Sequence, residues 1–129
     1  LHEIMILTLN QQKIRLIHNK NVVNINSSKD EIHSLQLTMK MNDKEVHIEG
    51  SGNGPIDSFI NGISENMGIT LKVADYQQSA ISSGSDAKAA AYIELEKDDK
   101  TFWGVGINPN TTRASFDAII VGLSKLLEN

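Results

Sequence analysis

From position 31 to 41 the apolar residues Ile32, Leu35, Leu37, Met39 and Met41 alternate with polar neighbours for most of the run. That is the period of a strand with one face in a core and the other in water. Asn42 and Asp43 are turn residues, and residues 44–48 return as a second strand, so the segment predicts a hairpin. After the run Gly50-Ser51-Gly52-Asn53-Gly54-Pro55 the period changes. Ile56, Phe59, Ile60, Ile63 and Met67 fall at helical spacing. Pro55 suits the first helical turn, where a missing N–H costs nothing, Asp57 favours the positive end of the helix dipole, and Gly68 is a natural stop.

The second half of the chain follows the same plan. Residues 70–81 are strand-like, 87–95 form another strand, 97–100 are a polar turn, 101–107 return, and a helix over 111–127 closes the chain. Phe116, Ile119, Ile120, Leu123 and Leu127 set the apolar face of that helix. Gly50-Ser51-Gly52 before Pro55 parallels Gly104-Val105-Gly106 before Pro109. The fold class this predicts is α+β, a pseudo-twofold repeat of strand-rich units each closed by one helix, βββα twice. Chance similarity of two hairpin-helix segments is the competing account. Residues 1–30 read as a linker-like start with a first short strand near 13–17 and a turn at 19–21, followed by units at 31–68 and 69–129.

A length of 129 residues suits one domain, and 40% hydrophobic with 22% charged residues is the balance of a chain with a core. Twelve Lys and Arg against sixteen Asp and Glu give a net charge of -4, with no basic stripe interleaved with aromatics, which argues against a nucleic-acid partner. No apolar run approaches the length of a membrane span, and no leader pattern is visible. The absence of Cys removes disulfides and thiol chemistry and accords with a cytoplasmic setting. A first residue of Leu1 suggests a piece of a longer polypeptide.

Chemistry candidates are few. The glycine-rich start of the first helix offers unpaired backbone N–H groups and a positive dipole end to an anion, and glycine lets a ligand approach the main chain. A free amino acid carries such a carboxylate. The same glycines equally permit a tight strand-to-helix turn with no ligand. A phosphate-binding P-loop is excluded, because no Gly-Lys-Ser/Thr follows. His2, His18, His33 and His47 are scattered without metal-ligand spacing, so no metal site is expected. Ser82, Ser83, Ser85 and Asp86 have no His placed to serve as base, so no catalytic residue is expected. Glu94, Glu96, Asp98 and Asp99 read as a solvated loop.

Three blocks carry a family likeness: residues 50–57 (Gly-Ser-Gly-Asn-Gly-Pro-Ile-Asp), Asp75-Tyr76 through residues 83–92, and residues 103–106 (Trp-Gly-Val-Gly) with Ala114-Ser115. In order and spacing they resemble the C-terminal regulatory domain of 2-isopropylmalate synthases, most closely the long form of fungi and actinobacteria, over residues 35–127. Gln77, Gln78 and Ser79 stand where that family usually carries a Glu-His pair, and residues 110–113 replace a more apolar stretch. The resemblance implies a parent enzyme that condenses acetyl-CoA with 2-oxoisovalerate on a barrel domain using a divalent metal. It implies no cofactor and no catalysis in this domain, with leucine as a feedback inhibitor bound here. Carried over by position, the site places Asn53, Ile56, Val73, Tyr76, Ala80 and Ala87 around leucine, with Gly54 and Pro55 at the helix start. The small residues Ala80, Gly84, Ala87, Ala89 and Ala91 leave room for an isobutyl group beside Tyr76. Expected partners are the catalytic barrel of the same polypeptide and a second copy in a homodimer, with the apolar helix from Phe116 and exposed strand edges as surfaces to be buried. Alternatives are an isoleucine-responsive domain of a citramalate synthase, a small independent enzyme using Asp86 and a serine, and a dimerisation domain that binds nothing.

Overall fold

Two tight turns organise the strands. In a computed structural model that describes residues 14–25, 31–41, 43–81, 84–85 and 87–127, Lys97 pairs with Lys100 across a two-residue loop. Its residues Asp98 and Asp99 hold φ of 52° and 66°. Two successive left-handed residues match the twist of the strands they join, and Asp tolerates that conformation. The Lys97 ammonium lies 2.7 Å from Asp98 Oδ2 and keeps that exposed carboxyl below its ordinary pKa. At the earlier hairpin Met41 pairs with Lys44, and Asp43 has φ 67°. Asn42 lies outside the described residues.

The elements are β1 (Ile14–Ile25), β2 (Glu31–Met41), β3 (Lys44–Gly52), α1 (Pro55–Met67), β4 (Lys72–Ala80), β5 (Ala89–Lys97), β6 (Lys100–Asn108) and α2 (Thr111–Leu127). They form two antiparallel three-stranded sheets, β1-β2-β3 and β4-β5-β6. This is the α+β architecture that the periodicity predicts. Helix α1 starts at Pro55 and stops at Gly68, which holds φ 65° and donates its N–H to the Ser64 carbonyl. The expected turn at 19–21 is not formed. β1 runs through it, with Asn19 opposite Leu37 and Asn21 opposite Leu35, because a full ladder with β2 outweighs the local turn preference of asparagine.

The repeat is regular but shifted from its most visible motif. β6 begins 56 residues after β3, at Lys100 and Lys44, and α2 begins 56 residues after α1, at Thr111 and Pro55. At that offset Gly50 corresponds to Gly106, not to Gly104, and Pro109 lies before its helix whereas Pro55 opens one. The ladders agree, since Gly50 pairs with Leu35 and Gly106 with Ala91. A Cβ on Gly50 would strike the Ser58 carbonyl oxygen and stand 2.8 Å from the backbone of Gly62. A Cβ on Gly106 would strike the Ala114 carbonyl oxygen and stand 2.7 Å from Ala118 N. What repeats is a strand glycine against which the helix lies.

One core runs from the first sheet through both helices to the second. It joins Leu35, Leu37, Met39 and Ile48 to Phe59, Ile60 and Ile63, and onward to Ile93, Leu95, Phe116, Ile119 and Leu123. The Phe59 and Phe116 rings meet at 4.9 Å with a 56° tilt, a favoured aromatic geometry. Phe116, Ile119, Ile120 and Leu123 are therefore interior, and the apolar face of α2 is not available to a second copy. The Leu127 side chain lies outside the described residues.

Candidate functional site

Helix α2 lies over β5 and β6 and leaves the inner face of the edge strand β4 open. The ladder between β4 and β5 shifts register between Val73 and Asp75. The extra residue of such a bulge changes the phase of a strand. Val73 and Tyr76, three positions apart, consequently lie opposite Leu95 and Ile93, whose side chains both enter the core. Simple alternation would have put Tyr76 on the other face.

Beside Tyr76 is a cavity of about 330 Å³ lined by Gly54, Pro55, Ile56 and Asp57 from the start of α1, Tyr76 and Gln78 from β4, and Thr111, Thr112 and Ser115 from the start of α2. That volume is at the small end of ligand pockets and suits a single amino acid. Pro55 and Ile56 correspond to Thr111 and Thr112 in the 56-residue repeat, so the cavity lies where the two units meet. Both helix starts border it, each with the positive end of its dipole.

The two starts differ in how many of their N–H groups already donate to a side-chain cap. At α2, Asn110 Oδ1 accepts the Arg113 N–H at 3.0 Å, the usual work of an asparagine cap. The Arg113 guanidinium turns along its own helix to Asp117, with Nε 3.0 Å from Oδ1. At α1 the cap is Gly54, no side chain caps the helix, and Pro55 has no N–H. Ile56 and Asp57, which line the cavity, thus begin a helix that has no side-chain cap. Asp57 Oδ2 accepts the Asn53 N–H at 2.9 Å, closing the loop ahead of the helix, and this carboxylate is the one charged side chain among those lining the cavity. Buried Ser58 fixes the helix start to β2, its hydroxyl 2.9 Å from the His33 carbonyl and 2.7 Å from that of Gly54.

The opposite wall is held by a short hydrogen-bond chain. Ser115 Oγ donates to the Thr111 carbonyl at 3.0 Å, which leaves the Tyr76 hydroxyl to donate to Ser115 Oγ at 3.1 Å. Gln78 Nε2 approaches the same carbonyl at 3.4 Å. Replacing Tyr76 by Phe should remove one tie between β4 and α2 and lower stability by about 0.5–1 kcal/mol, the net worth of a partly buried hydrogen bond. A thermal melt of Tyr76→Phe that matched the unaltered protein would show that the hydroxyl does not hold this wall.

Of the eight residues expected around a ligand, the structure gathers Gly54, Pro55, Ile56 and Tyr76. Asn53 is exposed just outside, tied through its N–H to Asp57. Val73, Ala80 and Ala87 are exposed and away from the lining. Ser82, Ser83 and Asp86 lie outside the described residues, as does His2, while His33 is buried on β2 and His47 is exposed with Nδ1 3.1 Å from Thr38 Oγ1. Asp57, Gln78, Thr111, Thr112 and Ser115 were not expected in the site. Gln78, Thr111 and Thr112 nevertheless carried a signal, as positions where the chain departs from the family it resembles.

Two βββα units meeting over a cavity of amino-acid size define a duplicated α+β domain. The chain belongs to the LeuA allosteric (dimerisation) domain family, whose model matches residues 1–127. Relatives include the 2-isopropylmalate synthases of Mycobacterium ulcerans, 42% identical over 92 residues (71% of this chain and 16% of that protein), and Rhizobium meliloti, 47% identical over 81 residues (63% and 14%). The synthase of Clostridium acetobutylicum is 35% identical over 105 residues, 81% of this chain and 19% of that protein. The chain thus spans less than a fifth of the length of these relatives. Among the described residues no helix is long and apolar enough to cross a membrane.

Proposed function

We propose that this domain binds leucine in the cavity between the two helix starts and reports its presence to a catalytic barrel of 2-isopropylmalate synthase, lowering the condensation of acetyl-CoA with 2-oxoisovalerate in leucine biosynthesis. The uncapped start of α1 carries the reading. Its Ile56 and Asp57 N–H groups suit the ligand carboxylate, the Asp57 side chain suits the ammonium, and Pro55, Ile56 and the Tyr76 ring offer apolar surface to an isobutyl group. The divalent metal of the condensation belongs to the barrel, and this domain supplies no catalytic group. It works in the cytoplasm as a twofold dimer.

Titration calorimetry of the chain with leucine, isoleucine and valine tests the ligand. Leucine should bind tightest, with valine about tenfold or more weaker, since one methylene in an apolar pocket is worth roughly 1–3 kcal/mol. Tighter binding of isoleucine would transfer the domain to a citramalate-type sensor. Absence of heat with all three would remove the sensing function and leave a dimerisation module.

A further inference from the structure

The dipeptide Asn-Gly occurs twice in the chain, at Asn53-Gly54 and at Asn61-Gly62. An asparagine loses its side-chain amide most readily in this sequence. Glycine has no Cβ to keep its main-chain nitrogen away from the preceding side-chain carbonyl, and it has the widest choice of φ and ψ for the approach. The fold treats the two copies oppositely. Asn61 and Gly62 lie inside α1, where the Gly62 N–H is committed to the helix ladder and Asn61 Nδ2 donates to the Ser51 carbonyl at 2.9 Å. Gly62 is buried, and turning its nitrogen toward the Asn61 side chain would break the helix. Asn53 and Gly54 instead form the step between β3 and α1. Asn53 is exposed, and neither its side-chain amide nor the Gly54 N–H has a hydrogen-bond partner among the described residues. The Asn53 N–H donates to Asp57 Oδ2 at 2.9 Å, a bond that attack on the side chain leaves in place.

We propose that Asn53 is a site of spontaneous deamidation, and that its conversion silences the cavity bordered by Gly54. The chemistry depends on no ligand, whereas the silencing rests on the leucine reading above. The Gly54 nitrogen gives up its proton to solvent and bonds to Asn53 Cγ, the Cγ–Nδ2 bond breaks, and ammonia leaves after taking up a proton. Water then opens the resulting five-membered imide, with no change of oxidation state. Attack at Cγ leaves aspartate on an unaltered backbone. Attack at the main-chain carbonyl leaves isoaspartate, whose backbone runs through Cγ and is longer by one methylene. Either product adds a negative charge directly before the cap of α1, next to the Asp57 carboxylate that residue 53 already meets through its N–H. That charge opposes the ligand carboxylate assigned to this helix start. Isoaspartate also displaces Gly54, which lines the cavity.

No Lys or Arg lies between Lys44 and Lys72, so one tryptic peptide, residues 45–72, carries both dipeptides and compares them directly. The chain is aged at mildly alkaline pH, digested under acidic conditions that stop the reaction, and read by fragment mass spectrometry. Asn53 should convert first, with Asn61 at least about tenfold slower, because α1 must open locally to free the Gly62 nitrogen. In urea the two should convert alike. Saturating leucine should slow Asn53 and leave Asn61 unchanged. By calorimetry the aged chain and Asn53→Asp should bind leucine about tenfold more weakly or worse, the effect of one added charge near the ligand carboxylate. Asn53→Gln, which would have to close a less favourable six-membered ring, should keep its starting affinity on ageing. Circular dichroism should show Asn53→Asp folded, since the side chain is exposed. Equal rates at Asn53 and Asn61 in the folded chain would overturn the modification site. Selective conversion of Asn53 with unaltered leucine affinity would overturn the silencing. Absence of leucine binding by the fresh chain would overturn the leucine reading instead, and the ratio of the two conversions would still decide whether Asn53 is the site.

Discussion

Replacing Gly54 by Asp is expected to lower leucine affinity by on the order of a hundredfold, about 2.8 kcal/mol, while leaving the fold intact or slightly firmer. Gly54 holds φ -173° and ψ -176°, extended backbone open to any residue, and a Cβ there meets nothing within 4 Å. The new carboxylate would stand at the cap position of α1. Aspartate is a strong cap, worth a few tenths of a kcal/mol over glycine, because its oxygen accepts the N–H groups that glycine leaves unmet. Those N–H groups are the ones assigned to the ligand carboxylate. Affinity and melting temperature should therefore move in opposite directions, an outcome that general damage to the domain cannot produce. Gly54→Asn should lose less, since it competes for the same donors without repelling the ligand charge. Calorimetry and a thermal melt on the three proteins check this, and leucine bound equally by Gly54→Asp and the unaltered chain would move the carboxylate site elsewhere.

The largest loss of stability should come from Gly104→Ala. A Cβ there would run into the Ala118 carbonyl oxygen and lie 2.7 Å from Gly122 N and 2.9 Å from the Ala118 carbonyl carbon. All three are backbone atoms of α2, which cannot turn aside as a side chain can, so the helix would have to lift from β6. Overpacking of this kind costs roughly 3 kcal/mol or more, and the melting temperature of a domain this size should fall by about 10 °C. Gly122→Ala is the comparison, because the nearest atom its Cβ meets is Leu95 Cδ1 at 3.0 Å, the far end of a side chain with other rotamers. It should cost less than half as much. Equal melting temperatures for Gly104→Ala and the unaltered chain would mean that α2 does not rest on that glycine.

Local chemistry made much of this chain readable without its structure. The alternation from Leu35 to Met41 and the helical spacing from Ile56 to Met67 both match formed elements, because each period reports which side chains one element can bury together. Pro55 and Gly68 bound α1 for reasons contained in their own backbones, a missing N–H and a left-handed φ. The three family-like blocks were legible as well, and the site carried over from them supplied four of the nine residues now found around the cavity.

Tertiary pairing decided the rest. Asn19 and Asn21 became strand because β2 was present to pair with them, and no local preference records a partner. The bulge after Val73 turned Tyr76 inward, a phase change that arises only against β5. Gly106, and not Gly104, proved equivalent to Gly50, since equivalence is set by the ladder partner and the helix turn each glycine meets and not by distance from a proline. Thr111, Thr112 and Ser115 entered the site from the far end of the chain because the core brings α1 and α2 together at Phe59 and Phe116. The sequence by itself determined the elements, their order and the doubled plan, since those depend on contacts between near neighbours. The cavity exists only where residues far apart in the chain are packed side by side, and a periodic pattern carries no measure of that separation.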